Sequence, residues 1–271
     1  MPNTRRTPEL RFPGFGGDWE AYTLGDFLEF KNGINAAKDQ YGSGTKFINV
    51  SDILENDYIT YDKIIGEVIV DEEMLRKNEV RYGDLVFQRS SETREEVGTA
   101  NVYLDKERSA VFGGFVIRGR QTREYVPEFM NYLLKTAAVR SDMTSRSGGS
   151  TRYNIGQDSI AQTSITLPSL PEQQKIAAFL RAVDARAARL RRQLAALEAY
   201  KRGVMQRIFD REIRFGAGEC DEVRLGELAE ITTGSSNRQD SNAVEGEYHF
   251  FDRSEDIRRS PIYLLDRKSV V

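Results

Sequence analysis

Apolar residues recur every seven positions through PEQQKIAAFLRAVDARAARLRRQLAALEAYKRGVMQRIFDR, residues 171–211. Ile176, Val183, Leu190, Leu197 and Val204 form one seam line, and Leu180, Ala187, Leu194, Lys201 and Ile208 the other. A heptad sustained over this distance predicts a coiled-coil helix. Pro171 suits its first turn, Glu172 complements the positive end of its dipole, and no glycine interrupts before Gly203. At about 1.5 Å per residue the helix is roughly 60 Å long, more than one small domain can cover, so part of the seam needs a partner. Lys201 in a seam position weakens pairing and helps fix its register. A long amphipathic helix packed wholly on its own domain is the plainer alternative.

Upstream the period changes. Strand-like runs are TLGDFLEF (23–30), KFINV (46–50), GEVIV (66–70), DLVFQ (84–88), TANVYL (99–104) and VFGGFVIR (111–118). A helix is expected from about Pro127, carrying Phe129, Met130, Leu133, Leu134 and Ala137 inward. Strands and helices do not alternate regularly, which argues for an α+β arrangement with a mixed sheet over a doubly wound one.

The pattern then restarts. Leu24, Gly25, Asp26, Glu29 and Gly33 are answered at one offset by Leu225, Gly226, Glu227, Glu230 and Gly234. Arg11-Phe12 precedes the first stretch and Arg214-Phe215 the second, and Ser51-Asp52-Ile53 is echoed by Glu255-Asp256-Ile257. A repeat this distant implies two copies of one domain rather than a solenoid. The second copy has too few residues before Val271 to bury a core, so it is expected to be incomplete.

Composition narrows the class. Hydrophobic residues at 39% suffice for a core, and no run of 18 apolar residues suggests a membrane span. MPNTRRTPELRFPGFGG has no apolar stretch after its arginines and does not read as a signal peptide. A single cysteine, Cys220, and a single histidine, His249, exclude an internal disulfide and a histidine-rich metal site. A reducing cytoplasm is the expected location. The net charge of −3 hides a division: residues 172–214 carry eleven Lys/Arg against five acids, +6, which leaves −9 for the remainder. Residues 1–170 carry 21 basic and 25 acidic residues, a net −4. Bulk charge therefore announces no nucleic-acid binder.

Four features in order carry a resemblance. They are Trp19 followed by Leu24-Gly25-Asp26, the GDLVF strand (83–87) with Arg89 after it, GGSTRYNI (148–155), and ITLPSLPEQQKIAAFL (165–180) opening the long helix. This order resembles the DNA-specificity subunit of Type I restriction–modification enzymes, over the whole chain, and the LPxLPEQQKIA helix start is its most specific part. The resemblance implies an α+β fold in three parts: a mixed-sheet target-recognition domain (1–170), a long coiled-coil spacer helix (171–214) and the start of a second copy of the domain (215–271). It implies two recognition domains per subunit and two helices packed antiparallel. The chain departs from that pattern in lacking the rest of the second domain and its helix. The final DRKSVV also looks like translated sequencing adapter, so the reading frame is expected to have run into adapter; a natural truncation is the alternative.

No phosphate-binding G-x-x-x-x-G-K-[ST] loop, methyltransferase Pro-Pro motif, G-x-S-x-G elbow or metal-ligand set is present. GSGT (42–45) and SGGST (147–151) lack a following Lys and helix and read as loops. Catalysis, cofactor and metal are not expected of this chain. In the family, methyl transfer and ATP-driven cleavage belong to partner subunits.

Reading DNA needs donors and acceptors on loops. Gln88, Arg89, Ser90, Ser91, Thr93 and Arg94 supply one set, and Arg140, Ser145, Arg146, Ser147, Ser150, Thr151, Arg152, Tyr153 and Asn154 a second. Lys31, Asn32, Asn35 and Lys38 form a weaker third. Each could equally be an ordinary solvated loop. The arginine face Arg181, Arg186, Arg189 and Arg192 reads as a solvated coiled-coil flank, with methyltransferase docking as the alternative. The implied partners are double-stranded DNA, methyltransferase (modification) subunits and the restriction subunit. A homodimer through the helix and a coiled-coil adaptor that never touches DNA both stay open.

Overall fold

The computed structural model describes residues 8–216, 218, 221–230, 246–250 and 257–261. The chain divides into two compact units, 1–196 and 197–271.

In the first unit β1 (Glu20–Thr23) leads into a 3-10 turn, Leu24–Asp26, and β2 (Leu28–Asn32). The expected strand over 23–30 is therefore broken. The Asp26 carboxylate accepts from the Thr23 backbone N–H (2.7 Å) and hydroxyl (2.9 Å), which closes the turn and drops Leu24 into the core. There follow β3 (Tyr41–Ile48), α1 (Val50–Leu54), β4 (Glu67–Val68), α2 (Glu72–Asn78), β5 (Leu85–Gln88), β6 (Ser90–Ser91), β7 (Ala100–Val102) and β8 (Val111–Phe112). The expected single strand 111–118 is two, β8 and β9 (Val116–Gln121), with a turn between. Then come α3 (Pro127–Leu134), α4 (Ala137–Ser145), β10 (Tyr153–Asn154), α5 (Gln157–Ala161), β11 (Ser164–Leu167) and α6 (Leu170–Phe209), which continues into the second unit. The helix expected at Pro127 buries Phe129, Met130 and Leu134 and half-buries Leu133. Ala137 instead starts the next helix and is exposed, because the chain turns at Lys135-Thr136.

The centre is an antiparallel sheet in the order β2-β9-β5-β7. Alternation sends Leu28, Phe30, Leu85, Phe87, Ala100, Val102 and Ile117 to one face, where they pack with Phe129, Met130, Leu134, Ile160 and Ala177. Val86 and Val116 point the other way, into a second cluster with Ile48, Ile53, Ile59, Val80, Tyr103 and Phe112. A second sheet, β4-β3-β8, is mixed, since β3 pairs antiparallel with β4 and parallel with β8. The α+β, mixed-sheet expectation holds.

β1 pairs with β11, which delivers the chain to α6. The first turn of α6 is fastened rather than merely dipole-complemented. The Glu172 carboxylate, 1% exposed, accepts two bonds from the Arg11 guanidinium, at 2.8 and 2.7 Å. Gln173 accepts from Val126 N–H (3.0 Å) and donates to the Pro168 carbonyl (3.0 Å). Phe12 packs edge-on against Phe179. These contacts give the Arg-Phe pair and the LPEQQ string a structural reason. Ile176 still packs on the core, and Tyr132 donates to Asp184 further along. Along the seam Ala187 is half-buried, but Val183, Leu190 and Leu194 are exposed. The long amphipathic helix is not covered by its own domain.

In the second unit Leu197 is exposed, while Val204 and Ile208 are half-buried. Leu225–Leu228 forms a single helical turn, α7, and β12 (Tyr248–Phe250) pairs antiparallel with β13 (Arg258–Ser260). The repeated Leu-Gly-acidic string thus turns helically in both places. Gly234, Glu255-Asp256, Cys220 and the terminal DRKSVV lie outside the described residues. Among the described residues no helix is long and apolar enough to cross a membrane.

Candidate nucleic-acid interface

Two of the three polar stretches meet. β6 pairs antiparallel with β10, setting Ser91 opposite Tyr153 and Ser90 opposite Asn154. The Ser90 hydroxyl donates to the Asn154 amide oxygen, and Ile155 N–H donates to the Arg89 carbonyl (3.0 Å). Residues 148–154 form a tight hairpin: Gly148 and Asn154 exchange backbone bonds of 2.9 and 2.8 Å. Gly149 turns it at φ +121°, and a Cβ there would stand 2.1 Å from the Arg152 carbonyl oxygen, so only glycine fits. Ser150, Thr151 and Arg152 are displayed at its exposed end.

The individual residues sort by what already holds them. Arg89 is exposed, with one long bond (3.4 Å) to the Gly114 carbonyl. Arg152 is exposed and 3.9 Å from Glu92, and Arg94 is exposed with one bond to the Thr144 carbonyl (3.3 Å). Arg146 is half-buried and tied to Asp142 on α4, at 3.1 Å. Gln88 and Ser91 lie beneath the surface: Gln88 donates to the Ser90 carbonyl (3.0 Å), and the Ser91 hydroxyl donates to Glu96 (2.9 Å). Ser145 and Ser147 bond back to α4 carbonyls, and Thr93 N–H donates to the Ser91 hydroxyl (3.2 Å). This web stiffens the loops from inside while leaving Arg89, Arg94 and Arg152 at the surface.

Arg140 belongs to the web. It sits inside α4 and donates to the carbonyls of Glu95 (2.7 Å) and Val97 (2.8 Å). Burial holds its guanidinium below the usual arginine pKa. Arg140→Ala is expected to destabilise the domain by roughly 2 kcal/mol through lost charged hydrogen bonds. Thermal unfolding checks this: an unchanged midpoint would show that the strut carries nothing.

The third stretch approaches from β2. The Lys31 ammonium donates to the Lys77 carbonyl (2.6 Å), and burial, with Arg118 nearby, lowers its pKa. Asn32 lies against Gln157 within 3.2 Å, and Lys38 starts an exposed 3-10 turn. Asn35 lines a hollow of about 390 Å³ with Asn49, Ser51 and Phe115. A neighbouring hollow of about 430 Å³ is lined by Val50, Gln88, Ser90, Ser91, Glu92, Thr93, Glu96, Arg152 and, again, Phe115. Phe115 was not among the expected site residues, though the Gly-Gly-Phe string inside an apolar run marks a turn with an aromatic on it.

Across 88–96 and 142–154, Arg89, Arg94, Arg146 and Arg152 are balanced by Glu92, Glu95, Glu96 and Asp142. The surface offers hydrogen-bond donors without a strong positive field. Among the described residues no cluster of His, Cys, Asp or Glu could hold a metal ion.

Residues 16–199 match the family described as Type I restriction modification DNA specificity domain. The chain is 25% identical over 219 residues to a protein described as a type I restriction enzyme MjaX specificity subunit, from Methanocaldococcus jannaschii, covering 79% of this chain and 50% of that one. The chain thus spans about half the length of this curated relative. One structural neighbour was solved in a study of complex assembly and conformational transition of the type I R-M system, with TM-score 0.53, 22% identity, and coverage of 73% of this chain and 47% of that one. Another is the type-I restriction-modification S subunit from M. genitalium, with TM-score 0.51, 15% identity, and coverage of 96% and 65%. These two likenesses show the fold.

Proposed function

Because this chain belongs to the Type I restriction modification DNA specificity domain family, we propose that residues 1–170 read one half of a two-part DNA target for a modification and restriction complex. The observation that carries the reading is the β6–β10 pairing. It joins two polar loops far apart in sequence into one braced surface with arginines and hydroxyls on its outside. Arg89 and Arg152 suit guanine edges or phosphates, and the exposed hydroxyls of Ser150 and Thr151 suit neighbouring bases.

In this reading the chain recognises and its partners react. Modification subunits methylate adenine and a restriction subunit cleaves with ATP. The bare seam at Leu190, Leu194 and Leu197 receives a second helix, and α6 acts as the spacer that fixes the gap between half-sites. Residues 215–271 belong to a second recognition domain, a reading supported by the matching turns at Leu24–Asp26 and Leu225–Leu228. An adaptor that never touches DNA would have no use for the paired polar loops, and nothing favours it.

A domain of net −4 attracts phosphates poorly, so the partner methyltransferase supplies much of the affinity. In a gel shift the chain alone is expected to bind DNA weakly and lose it with added salt, and partner subunits to tighten binding by roughly a hundredfold or more. Tight, salt-resistant binding without partner would overturn that division of labour.

A further inference from the structure

Phe115 stands where a reading surface would not be expected to keep an exposed aromatic. It is 59% exposed, on the turn between β8 and β9, and together with Val50 it lines both hollows. The turn is rigid: Val116 N–H donates to the Gly113 carbonyl (2.8 Å), Gly113 N–H to the Ile48 carbonyl (3.0 Å), and Arg89 N–H to the Phe115 carbonyl (2.8 Å). The same ring therefore lies beside Arg89, Ser90 and Arg152 on one side and Asn35 and Asn49 on the other. Leaving the ring this exposed forgoes the benefit of burying it unless something apolar comes to it.

Resting on the DNA-reading proposal above, we infer that Phe115 is a specificity-determining residue that packs against the 5-methyl group of a thymine in the major groove. Thymine carries the apolar group among the four base edges there, and a phenyl ring is a known kind of partner for it. The ring is partly seated on its turn, which suits contact with a base edge better than insertion between stacked bases. The hydrogen-bonding groups in the flanking hollows are then placed for the adjacent base pairs.

The test uses the chain assembled with its methyltransferase partner and a duplex containing its methylation motif. Deoxyuridine, which lacks only the methyl, replaces thymine at each specified A·T pair in turn. At one such pair the wild-type complex should lose about fourfold in affinity, as for burial of one methyl-sized group. The Phe115→Ala complex should bind the intact duplex more weakly and be indifferent to that same replacement. Phe115→Leu should keep part of the discrimination. Unfolding midpoints of both variants should match wild type, since the ring is mostly exposed. If Phe115→Ala discriminates thymine from deoxyuridine as wild type does, or if no replacement affects wild type, the inference is wrong. If the wild-type complex favours no sequence at all, the DNA-reading proposal fails and this inference with it.

Discussion

Gly33→Ala is expected to cost the recognition domain about 3 kcal/mol or more, read as a lower urea midpoint. Gly33 is where the chain leaves β2 and crosses the β8–β9 turn. Its N–H donates to the Val116 carbonyl (3.2 Å), and Ile34 N–H donates to the Phe112 carbonyl (2.9 Å). A Cβ at Gly33 would stand 2.1 Å from the Gly113 carbonyl oxygen, 2.5 Å from its carbon and 2.6 Å from the Phe112 oxygen. These are backbone atoms with no rotamer to change, so two elements must separate. The same crossing holds the turn that presents Phe115, so DNA reading should fall with stability. Gly203→Ala is the control. Nothing lies within 4 Å of a Cβ there, and in a helix interior the change should stabilise by about 0.5–1 kcal/mol. A Gly33→Ala midpoint equal to wild type would mean the strands do not cross this closely.

Removing Arg89 and Arg152 together should weaken target binding by the partner-assembled complex by roughly thirtyfold or more, with the fold unchanged. Both side chains are exposed, and their protein contacts are long, 3.4 Å to Gly114 for Arg89 and 3.9 Å to Glu92 for Arg152. Breaking such exposed contacts costs the fold little. A guanine-reading arginine is worth about 1–3 kcal/mol of discrimination, whereas removing a phosphate-bound one lowers affinity uniformly and reduces the salt slope by about 1. Measuring affinity against salt for each single variant therefore assigns a role to each. Arg146→Ala should do less, because Asp142 already holds that side chain at 3.1 Å. Full affinity and an unchanged salt slope in the double variant would remove both arginines from the interface.

Much of this architecture is legible in the sequence because it depends on local pattern. The α6 heptad, the LPEQQ start and most strand positions follow from period and from Pro and Glu placement. Gly33 can be seen in the letters; its reason, a backbone crossing at contact distance, cannot. Leu24–Asp26 reads as strand by composition, yet one carboxylate closing on Thr23 turns it. The three candidate loops are visible as polar strings. The pairing of the first two is not, since β6 and β10 are two residues each and carry no periodicity. Arg140 reads as a loop arginine on charge alone, and only its position inside α4 makes it a strut. Phe115 is invisible to a search for hydrogen-bonding residues, because what distinguishes it is an exposed ring lining two hollows.

In the proposed role, this chain reads DNA sequence for a methyltransferase. The most direct test of that role is to co-express the gene for this chain, completed through its second recognition domain, with its partner modification subunits in a host lacking that system and map adenine methylation across the genome. New methylation is expected at an interrupted motif of two short specified parts with a fixed gap. Arg152→Ala should alter one part and leave the other unchanged. No new methylation from a soluble, assembled complex, or methylation without sequence preference, would contradict it.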